Sequence, residues 1–216
     1  MVNSVRAVKI LVVCSANECR SAFAVDQLRA VGFDQGFAYI SAGTQANPGA
    51  PRCPESHLLE ESAAVHSSRV LDVSTIKEAD LIVVMDRDHR ARVAELDPSA
   101  RFRCFTLKEL ARLSVLLNSA IKRGEVAVSA EFESLLPANW KSLALLRRVQ
   151  WWVKEINEAR GFSDPENDDI ADAHGNNSES HRDVLEEISQ ASKMFGENSL
   201  GALKHQTVLD LVGGAI

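Results

Sequence analysis

Residues 7–21 read AVKILVVCSANECRS, and this stretch decides the fold. Its first part, AVKILVV at residues 7–13, is a continuous apolar run rich in β-branched side chains. Such a run is typical of a strand that is buried on both faces, as in a parallel sheet. Residues 22–32 then carry apolar side chains at helical spacing and stop at Gly32, which can act as a C-cap. The chain therefore starts with a strand, a loop and a helix.

The alternation of strands and helices continues and predicts the class of fold. Ala79-Asp80 leads into LIVVM at residues 81–85, which has the pattern of a second buried strand. Strands alternating with helices indicate an α/β fold, and right-handed crossovers place helices on both faces of a mostly parallel sheet. We predict three layers, with a central four-stranded parallel sheet flanked by helices. The other segments assigned in this half are strands at 37–42 and 102–106, helical character over 50–65 and a charged helix at 87–96.

The second half of the chain has long helical patterns with no strand between them. Its segments are helices at 108–123 and 139–160 around a mixed stretch at 124–138, a polar loop at 161–178 and a helix at 179–195. Tryptophans and leucines at near-helical spacing favour a core position for the helix at 139–160. We expect a single domain over residues 1–216, with 108–165 as a helical insert within it and 197–216 as a weakly patterned C-terminal tail.

Composition narrows the function and the compartment. The 216 residues carry a net charge of −6, which argues against nucleic acids and membrane surfaces as partners. No window approaches the ~20 apolar residues of a membrane span, and the N-terminus lacks the apolar stretch of a secretory signal. We therefore expect a cytoplasmic protein whose cysteines are reduced.

The cysteines at 14, 19, 53 and 104 form no CxxC pair and have no histidines at zinc spacing beside them. We therefore expect neither a metal nor another cofactor.

Chemistry is expected in the loop after the first strand, because the carboxyl edge of a parallel sheet and a helix N-terminus meet there. The residues between Cys14 and Arg20 are Ser15, Ala16, Asn17, Glu18 and Cys19. Their backbone N–H groups can surround one tetrahedral anion, while the guanidinium of Arg20 holds two phosphate oxygens. The same positive potential favours the thiolate of Cys14, which is the nucleophilic form.

Two further side chains support this loop. Ser21 can donate a hydroxyl hydrogen bond to the sulfur, and Asn17 tolerates left-handed backbone angles and bonds locally to the backbone. The alternative is that Cys14 is only a small core residue at a strand end, since a Cys-x5-Arg spacing often occurs by chance. The position of the loop between a buried strand and a helix, with Ser21 directly after Arg20, favours the functional interpretation.

The segment ILVVCSANECRSAFAV at residues 10–25 resembles the active-site region of the low-molecular-weight protein tyrosine phosphatases, which share a fold with one class of arsenate reductases. Other segments agree in order: ISAGT at 40–44 resembles the family's second strand and turn, 66–89 its central helix and third strand, and DDIADAHG at 168–175 its acidic loop. The resemblance covers roughly residues 7–107 and 168–190. The stretch between them looks like the helical insert of some actinobacterial relatives.

The resemblance implies a phosphatase that hydrolyses phosphate monoesters, with protein phosphotyrosine as the first expectation. Cys14 would attack phosphorus and form a cysteinyl-phosphate, while Arg20 and the loop amides hold the phosphate oxygens. Asp172 would protonate the leaving oxygen and then help to activate water, so that one acid later serves as a base. No metal takes part. The expected partner is a phosphorylated protein or a small phosphate ester, and nothing in the sequence indicates the oligomeric state.

Asp172 is one of five carboxylates in the polar loop. It matches the acid of the family's Asp-Pro pair, whereas Asp169 matches an upstream structural acid. Here Ala173 replaces the proline, which leaves the loop less stiff. The alternative is that all five carboxylates are solvated and take no part in catalysis; the remaining three are Asp164, Glu166 and Asp168.

Four positions depart from the family pattern or add to it. Glu18 stands where relatives commonly carry Ile, or Thr in phosphoarginine-selective members. Its carboxylate repels phosphate and attracts a guanidinium, unless it simply points to solvent. Ala22 replaces a proline, and His174 replaces a frequent tyrosine. Cys19 has the spacing from Cys14 at which some members form a reversible disulfide, or else it is a packing residue under the loop.

Three other functions stay open at this point. Glu18 favours a phosphoarginine phosphatase. An arsenate reductase needs two further cysteines close together on a mobile segment, but Cys53 and Cys104 are far apart and no close pair follows residue 54. Glu18 and the long insert also leave room for a non-catalytic phosphate-binding module of the same fold, although the complete set of catalytic candidates argues against it.

Overall fold

The computed structural model has the four-stranded parallel sheet that the sequence predicts. It describes residues 6–32, 36–57, 65–122, 145–162, 167–173 and 178–203. The strands are β1 (Val8–Cys14), β2 (Phe37–Gly43), β3 (Leu81–Val84) and β4 (Cys104–Thr106). They lie in the order β2-β1-β3-β4, and every neighbouring pair is parallel. Val8 is opposite Phe37, and Ile10 is opposite Leu81.

Helices flank this sheet in the part of the chain that the structure describes. They are α1 (Arg20–Ala30), α2 (Val73–Glu78), α3 (Arg87–Leu96), α4 (Leu107–Lys122), α5 (Leu145–Ala159) and α6 (Ser178–Leu203). Short 3-10 helices cover Pro54–His57, Pro98–Arg103 and Arg160–Phe162. No helix among the described residues is long and apolar enough to cross a membrane.

Strand β1 is buried on both faces, and its alternating side chains enter two different cores. Ile10 and Val12 pack in a cluster with Phe23 of α1 and with side chains of α4, α5 and α6. Leu11 packs on the opposite face with Ile76 of α2 and with side chains of α3. Each such fully buried side chain stabilises the fold by about 1.5–3 kcal/mol. Helices therefore cover both faces of the sheet, which confirms the three-layer prediction.

Helix α1 begins two residues earlier than its apolar spacing predicts. Its first residues, Arg20 and Ser21, are polar but buried at the sheet edge, so hydrophobicity alone does not mark them as helical. The helix ends at Ala30, and Gly32 follows with a φ of 103°. Glycine adopts this left-handed conformation without a steric penalty, which confirms that Gly32 ends the helix.

Strand β4 is shorter than predicted, so the assignment of residues 102–106 to a strand is wrong at its start. Asp97 accepts a hydrogen bond of 3.0 Å from Ser99 N, and Pro98 takes the first position of the 3-10 helix Pro98–Arg103. Both features favour a helical turn. The 3-10 helix therefore includes residues 102 and 103, which the sequence assigned to the strand.

Other boundaries also differ from the predictions. Among the described residues of 50–65, helical structure covers Pro54–His57, and residues 58–64 lie outside the described residues. Helix α6 is longer than the predicted 179–195, so residues 197–203 of the expected tail continue a helix. Residues 123–144 and 204–216, which include most of the mixed stretch and the rest of the tail, lie outside the described residues.

Candidate active site

The loop between β1 and α1 lies at the carboxyl edge of the sheet. Cys14 is the last residue of β1, rather than the first after it, and Arg20 is the first residue of α1. Cys14 is buried, and so are Asn17 and Arg20. The loop is held against the neighbouring strand, because Thr44 N donates to Cys14 O at 3.0 Å. A helix N-terminus faces this edge and provides positive potential for an anion.

The sulfur of Cys14 lies among hydrogen-bonding groups. Cys14 Sγ is 3.1 Å from Ser21 Oγ and accepts a hydrogen bond of 3.2 Å from Asn17 N. Asn17 Nδ2 donates to Ser21 Oγ at 3.0 Å, so the hydroxyl is oriented by a second side chain. This small network can stabilise negative charge on the sulfur and hold it in one position.

Asn17 holds the shape of the loop. It has a φ of 59°, a left-handed conformation that few residues other than glycine and asparagine adopt. Its Oδ1 accepts a hydrogen bond of 2.9 Å from Arg69 N. Its carbonyl oxygen accepts one of 2.8 Å from Ser68 Oγ and is also contacted by His66 Nε2. The segment before α2 thus fixes the loop, and sequence reasoning did not single out its residues.

The guanidinium of Arg20 joins the loop to the acidic segment. Its side chain is only 4% exposed. Arg20 NH1 donates to Ile170 O at 3.0 Å, and NH2 donates to Ser15 Oγ at 3.0 Å. Arg20 NH2 also forms an ion pair with Asp172 Oδ2. The structure therefore brings together Arg20 and Asp172, two residues that the sequence proposed for one site.

Asp86 and His89 form a second contact with the loop that the sequence analysis missed. Asp86 caps the N-terminus of α3 by accepting from His89 N at 2.8 Å, and Asp86 Oδ2 lies 3.5 Å from Arg20 NH1. His89 Nε2 is 3.0 Å from Ser15 Oγ. Burial acts to raise the pKa of Asp86, but hydrogen bonds from His89 and the charge of Arg20 outweigh it and hold the pKa below its ordinary value. The available signal was Asp86, which directly follows the apolar run at 81–85 and precedes a charged helix.

The acids next to Asp172 anchor the segment rather than face the loop. Asp169 accepts hydrogen bonds from Arg87, at 2.8 Å from its backbone N and 2.7 Å from NH2, and this contact lowers the pKa of Asp169. Asp168 is buried and pairs with Arg112 at 2.9 Å. Ile170 N donates to Met85 O at 2.8 Å, beside the end of β3. Asp164, Glu166 and His174 lie outside the described residues.

Comparison with known proteins assigns the chain to a family. The sequence model of the low molecular weight phosphotyrosine protein phosphatases matches residues 9–116, which is half of the chain. The chain belongs to this family. A curated relative, the protein-arginine-phosphatase of Bacillus subtilis (strain 168), is 31% identical over 105 residues, which are 46% of this chain and 70% of the relative. The chain is thus a phosphatase of the low-molecular-weight family, as its resemblance implied.

Solved structures share the fold of this chain. The YwlE arginine phosphatase from Geobacillus stearothermophilus superimposes with a TM-score of 0.59 at 22% identity, over 94% of this chain and 95% of that chain. The tyrosine phosphatase AmsI of Erwinia amylovora gives a TM-score of 0.56 at 18% identity, over 91% and 96%. At these identities the two structures establish the fold alone.

Glu18 and Cys19 are the last two residues of the loop before α1 in this low-molecular-weight phosphatase. The Glu18 side chain is partly exposed, and its carbonyl oxygen accepts a hydrogen bond of 3.0 Å from Cys53 N. Cys19 is partly buried, and Cys14 and Cys19 are both free thiols. A hydrogen bond between Cys19 and Cys53 raises the pKa of Cys19 and lowers the pKa of Cys53. The contact with Cys53 was not visible in the sequence.

Proposed function

We propose that this phosphatase uses Cys14 as its nucleophile, Arg20 and the loop amides as its phosphate-binding groups, and Asp172 as its general acid. The observation that carries the proposal is the surroundings of the sulfur: Cys14 Sγ accepts from Asn17 N and lies 3.1 Å from Ser21 Oγ, at the N-terminus of α1. Within the phosphate-binding loop, Ser15, Ala16, Glu18 and Cys19 are proposed to contribute backbone N–H groups.

The proposed reaction has two steps. The Cys14 thiolate forms an S–P bond while the bond from phosphorus to the leaving oxygen breaks, and Asp172 gives its proton to that oxygen. A water molecule then loses a proton to Asp172 and forms an O–P bond as the S–P bond breaks, which releases phosphate and restores the thiolate. The guanidinium of Arg20 is suited to the planar array of phosphoryl oxygens, because it donates two parallel hydrogen bonds.

Turnover of p-nitrophenyl phosphate tests this assignment. Cys14→Ser should abolish turnover, whereas Cys104→Ala should retain it, because Cys104 is buried in the core on the other side of the sheet. Stable binding of inorganic phosphate by the folded Cys14→Ser protein would show that the loop is still formed. Turnover that persists in Cys14→Ser would overturn the proposal.

Protein phosphotyrosine is our first candidate substrate, as the family name suggests. Phosphoarginine is the second, and a specific observation favours it. A groove of about 540 Å³ borders Asp172 and is lined by Asp183, Glu186 and Glu187, of which Glu187 pairs with Lys108 at 2.6 Å. Together with Glu18, the carboxylates of Asp183 and Glu186 would attract the guanidinium that carries the phosphate. The name of the Bacillus subtilis relative is consistent with this candidate.

A comparison of two peptides distinguishes the substrates. We expect kcat/KM on a phosphotyrosine peptide and on the matching phosphoarginine peptide to respond in opposite directions to Glu18→Ile, with the aryl substrate gaining. Asp183 is exposed and lines the groove beside Asp172. Asp183→Asn therefore tests whether the groove contributes to the preference for phosphoarginine. If the ratio of kcat/KM on the two peptides is unchanged in both variants, these carboxylates do not set the substrate preference.

The remaining expectations about the whole chain are also proposals. We propose a cytoplasmic protein with reduced thiols that forms one domain over residues 1–216, with 108–165 as an insert. Helix α5, within that insert, supports the single domain, since Trp152 is 1% exposed and its ring lies 5.5 Å from that of Phe195 in α6. We do not propose arsenate reduction, because Cys104 packs on the opposite side of the sheet from Cys14.

A further inference from the structure

Three potential metal ligands meet behind the phosphate-binding loop. The sulfur atoms of Cys19 and Cys53 and a ring nitrogen of His181 all lie within 4.8 Å of one another. Cys19 ends the loop, Cys53 precedes the 3-10 helix Pro54–His57, and His181 lies in the first turn of α6. Cys53 is 4% and His181 is 5% exposed, so two of the three groups are buried. Their spacing in the sequence predicted no metal site, because tertiary structure alone brings them together.

The backbone around each residue fixes this arrangement. Cys53 N donates to Glu18 O at 3.0 Å, next to Cys19. Ser56 N donates to Cys53 O at 3.0 Å, and this turn belongs to the 3-10 helix Pro54–His57 that packs against α6. The three side chains therefore converge from segments that are already in contact, and binding an ion requires no rearrangement of the fold.

The donor set suits zinc. Thiolate sulfur and imidazole nitrogen are ligands that zinc prefers, with bonds of about 2.3 and 2.1 Å and a tetrahedral geometry that separates ligand atoms by about 3.5–3.8 Å. Small side-chain rotations from the observed spacing reach these values. Glu55 Oε2 lies 2.9 Å from Cys53 Sγ and can bind the ion or a water molecule on it. Arg52 brings a positive charge close to Cys19, but Asp26 pairs with it.

We propose that Cys19, Cys53 and His181 bind one zinc ion, with water or Glu55 in the fourth position. Both thiols lose their protons to solvent when they bind, so the charge of the ion is balanced by the two thiolates. Cys19 O also accepts the hydrogen bond of Phe23 N at 2.9 Å in the first turn of α1. Zinc at this place would link the end of the phosphate-binding loop and the start of α1 to α6.

The test uses the full chain with Cys14→Ser, which removes the proposed nucleophile as a competing ligand. Zinc titration of the reduced protein should give one tightly bound ion per chain and raise the Tm. Cobalt should bind in its place with sulfur-to-metal charge-transfer bands and the visible spectrum of a tetrahedral site. Cys53→Ser and His181→Ala should each weaken zinc by more than about 100-fold, beyond the 10–100-fold typical of losing an outer-shell partner.

The controls separate metal binding from folding and from catalysis. Cys104→Ala, in the same Cys14→Ser chain, should leave zinc affinity and the cobalt spectrum unchanged. Circular dichroism of metal-free His181→Ala and His181→Asn shows whether the fold survives the change. Absence of stoichiometric zinc would overturn the site, and so would a zinc affinity in Cys53→Ser and His181→Ala equal to that of the Cys14→Ser parent. A Cys19–Cys53 disulfide under peroxide in a protein that binds no zinc would do so as well and would assign the pair to thiol redox chemistry.

Discussion

The guanidinium of Arg20 and the carboxylate of Asp172 form an ion pair, although 152 residues separate them in the sequence. The two side chains differ in access to solvent: Arg20 is 4% exposed and Asp172 is 45% exposed. A phosphate that enters the loop competes with this carboxylate for the guanidinium. In the proposed reaction, the substrate thus displaces the acid from Arg20 towards the leaving group, where its proton is needed.

Asp172→Asn should lower kcat by about 10²–10⁴-fold, the usual contribution of a general acid. The loss should be greater for an alkyl phosphate than for p-nitrophenyl phosphate, because p-nitrophenolate leaves without much help from a proton. Steady-state kinetics on both substrates measure the difference. Glu158→Gln is the control for the loss of one negative charge, since Glu158 is 59% exposed and does not line this groove. Equal losses on the two substrates would remove Asp172 from the protonation step.

Asn17→Ala should both destabilise the protein and reduce turnover. Alanine cannot accept from Arg69 N or donate to Ser21, and the φ of 59° costs an alanine about 1–2 kcal/mol. Asn17→Gly loses the same side-chain bonds but adopts this conformation freely, so it should be the more stable of the two. Urea unfolding compares their stabilities. Alanine and glycine variants of equal stability would show that the left-handed conformation contributes little.

The sheet could be predicted largely from the sequence, because burial on both faces leaves a continuous apolar run. Residues 7–13 and 81–85 have this pattern, and they correspond to β1 and β3. The strand prediction at 102–106 was wrong only at its start, because the local preference of Asp97-Pro98 for a helical turn extends to Arg103. Helix ends were the least predictable feature, since buried polar residues such as Arg20 begin α1.

Local sequence patterns predicted one part of the candidate site, whereas tertiary contacts between distant segments form the rest. The loop from Cys14 to Ser21 is continuous, so strand, loop and helix patterns were enough to find it. Asp86 and His89 join the site only because β3 lies next to β1, and a helix-capping aspartate is too common to indicate a site by itself. The contact between Cys19 and Cys53 depends on the path of the chain after β2, which no periodicity encodes.

Gly43→Ala should disturb the loop without unfolding the protein. A Cβ on Gly43 would overlap the carbonyl oxygen of Ser15 and lie 2.9 Å from the carbonyl carbon of Ala16. Both are backbone atoms of the phosphate-binding loop, so the loop itself must move. We expect weaker inhibition by inorganic phosphate and a lower kcat/KM, with a smaller change in Tm than in activity.

Gly161→Ala is the control, because an added Cβ there meets no atom within 4 Å, and it should leave phosphate affinity unchanged. Unaltered phosphate affinity in Gly43→Ala would contradict the close packing of β2 on the loop.

Glu155→Gln should stabilise the protein at neutral pH. Burial raises the pKa of Glu155 above its ordinary value of 4.5, and the nearby charge of Glu158 adds to this shift. The folded state therefore binds a proton more readily than the unfolded state, and the free energy of unfolding falls as pH rises above about 4.5. Glutamine keeps the shape and removes the buried charge.

Urea unfolding at pH 3.5 and pH 7 measures this effect. The gain in stability from Glu155→Gln should be present at pH 7 and small at pH 3.5, because the carboxyl group is then protonated in both folded and unfolded states. Glu158→Gln is the comparison on the same helix, since its side chain is 59% exposed and it acts only by repelling Glu155, so its pH-dependent gain should be smaller. A gain from Glu155→Gln that is equal at both pH values would mean that packing, rather than the buried charge, sets the stability at this position.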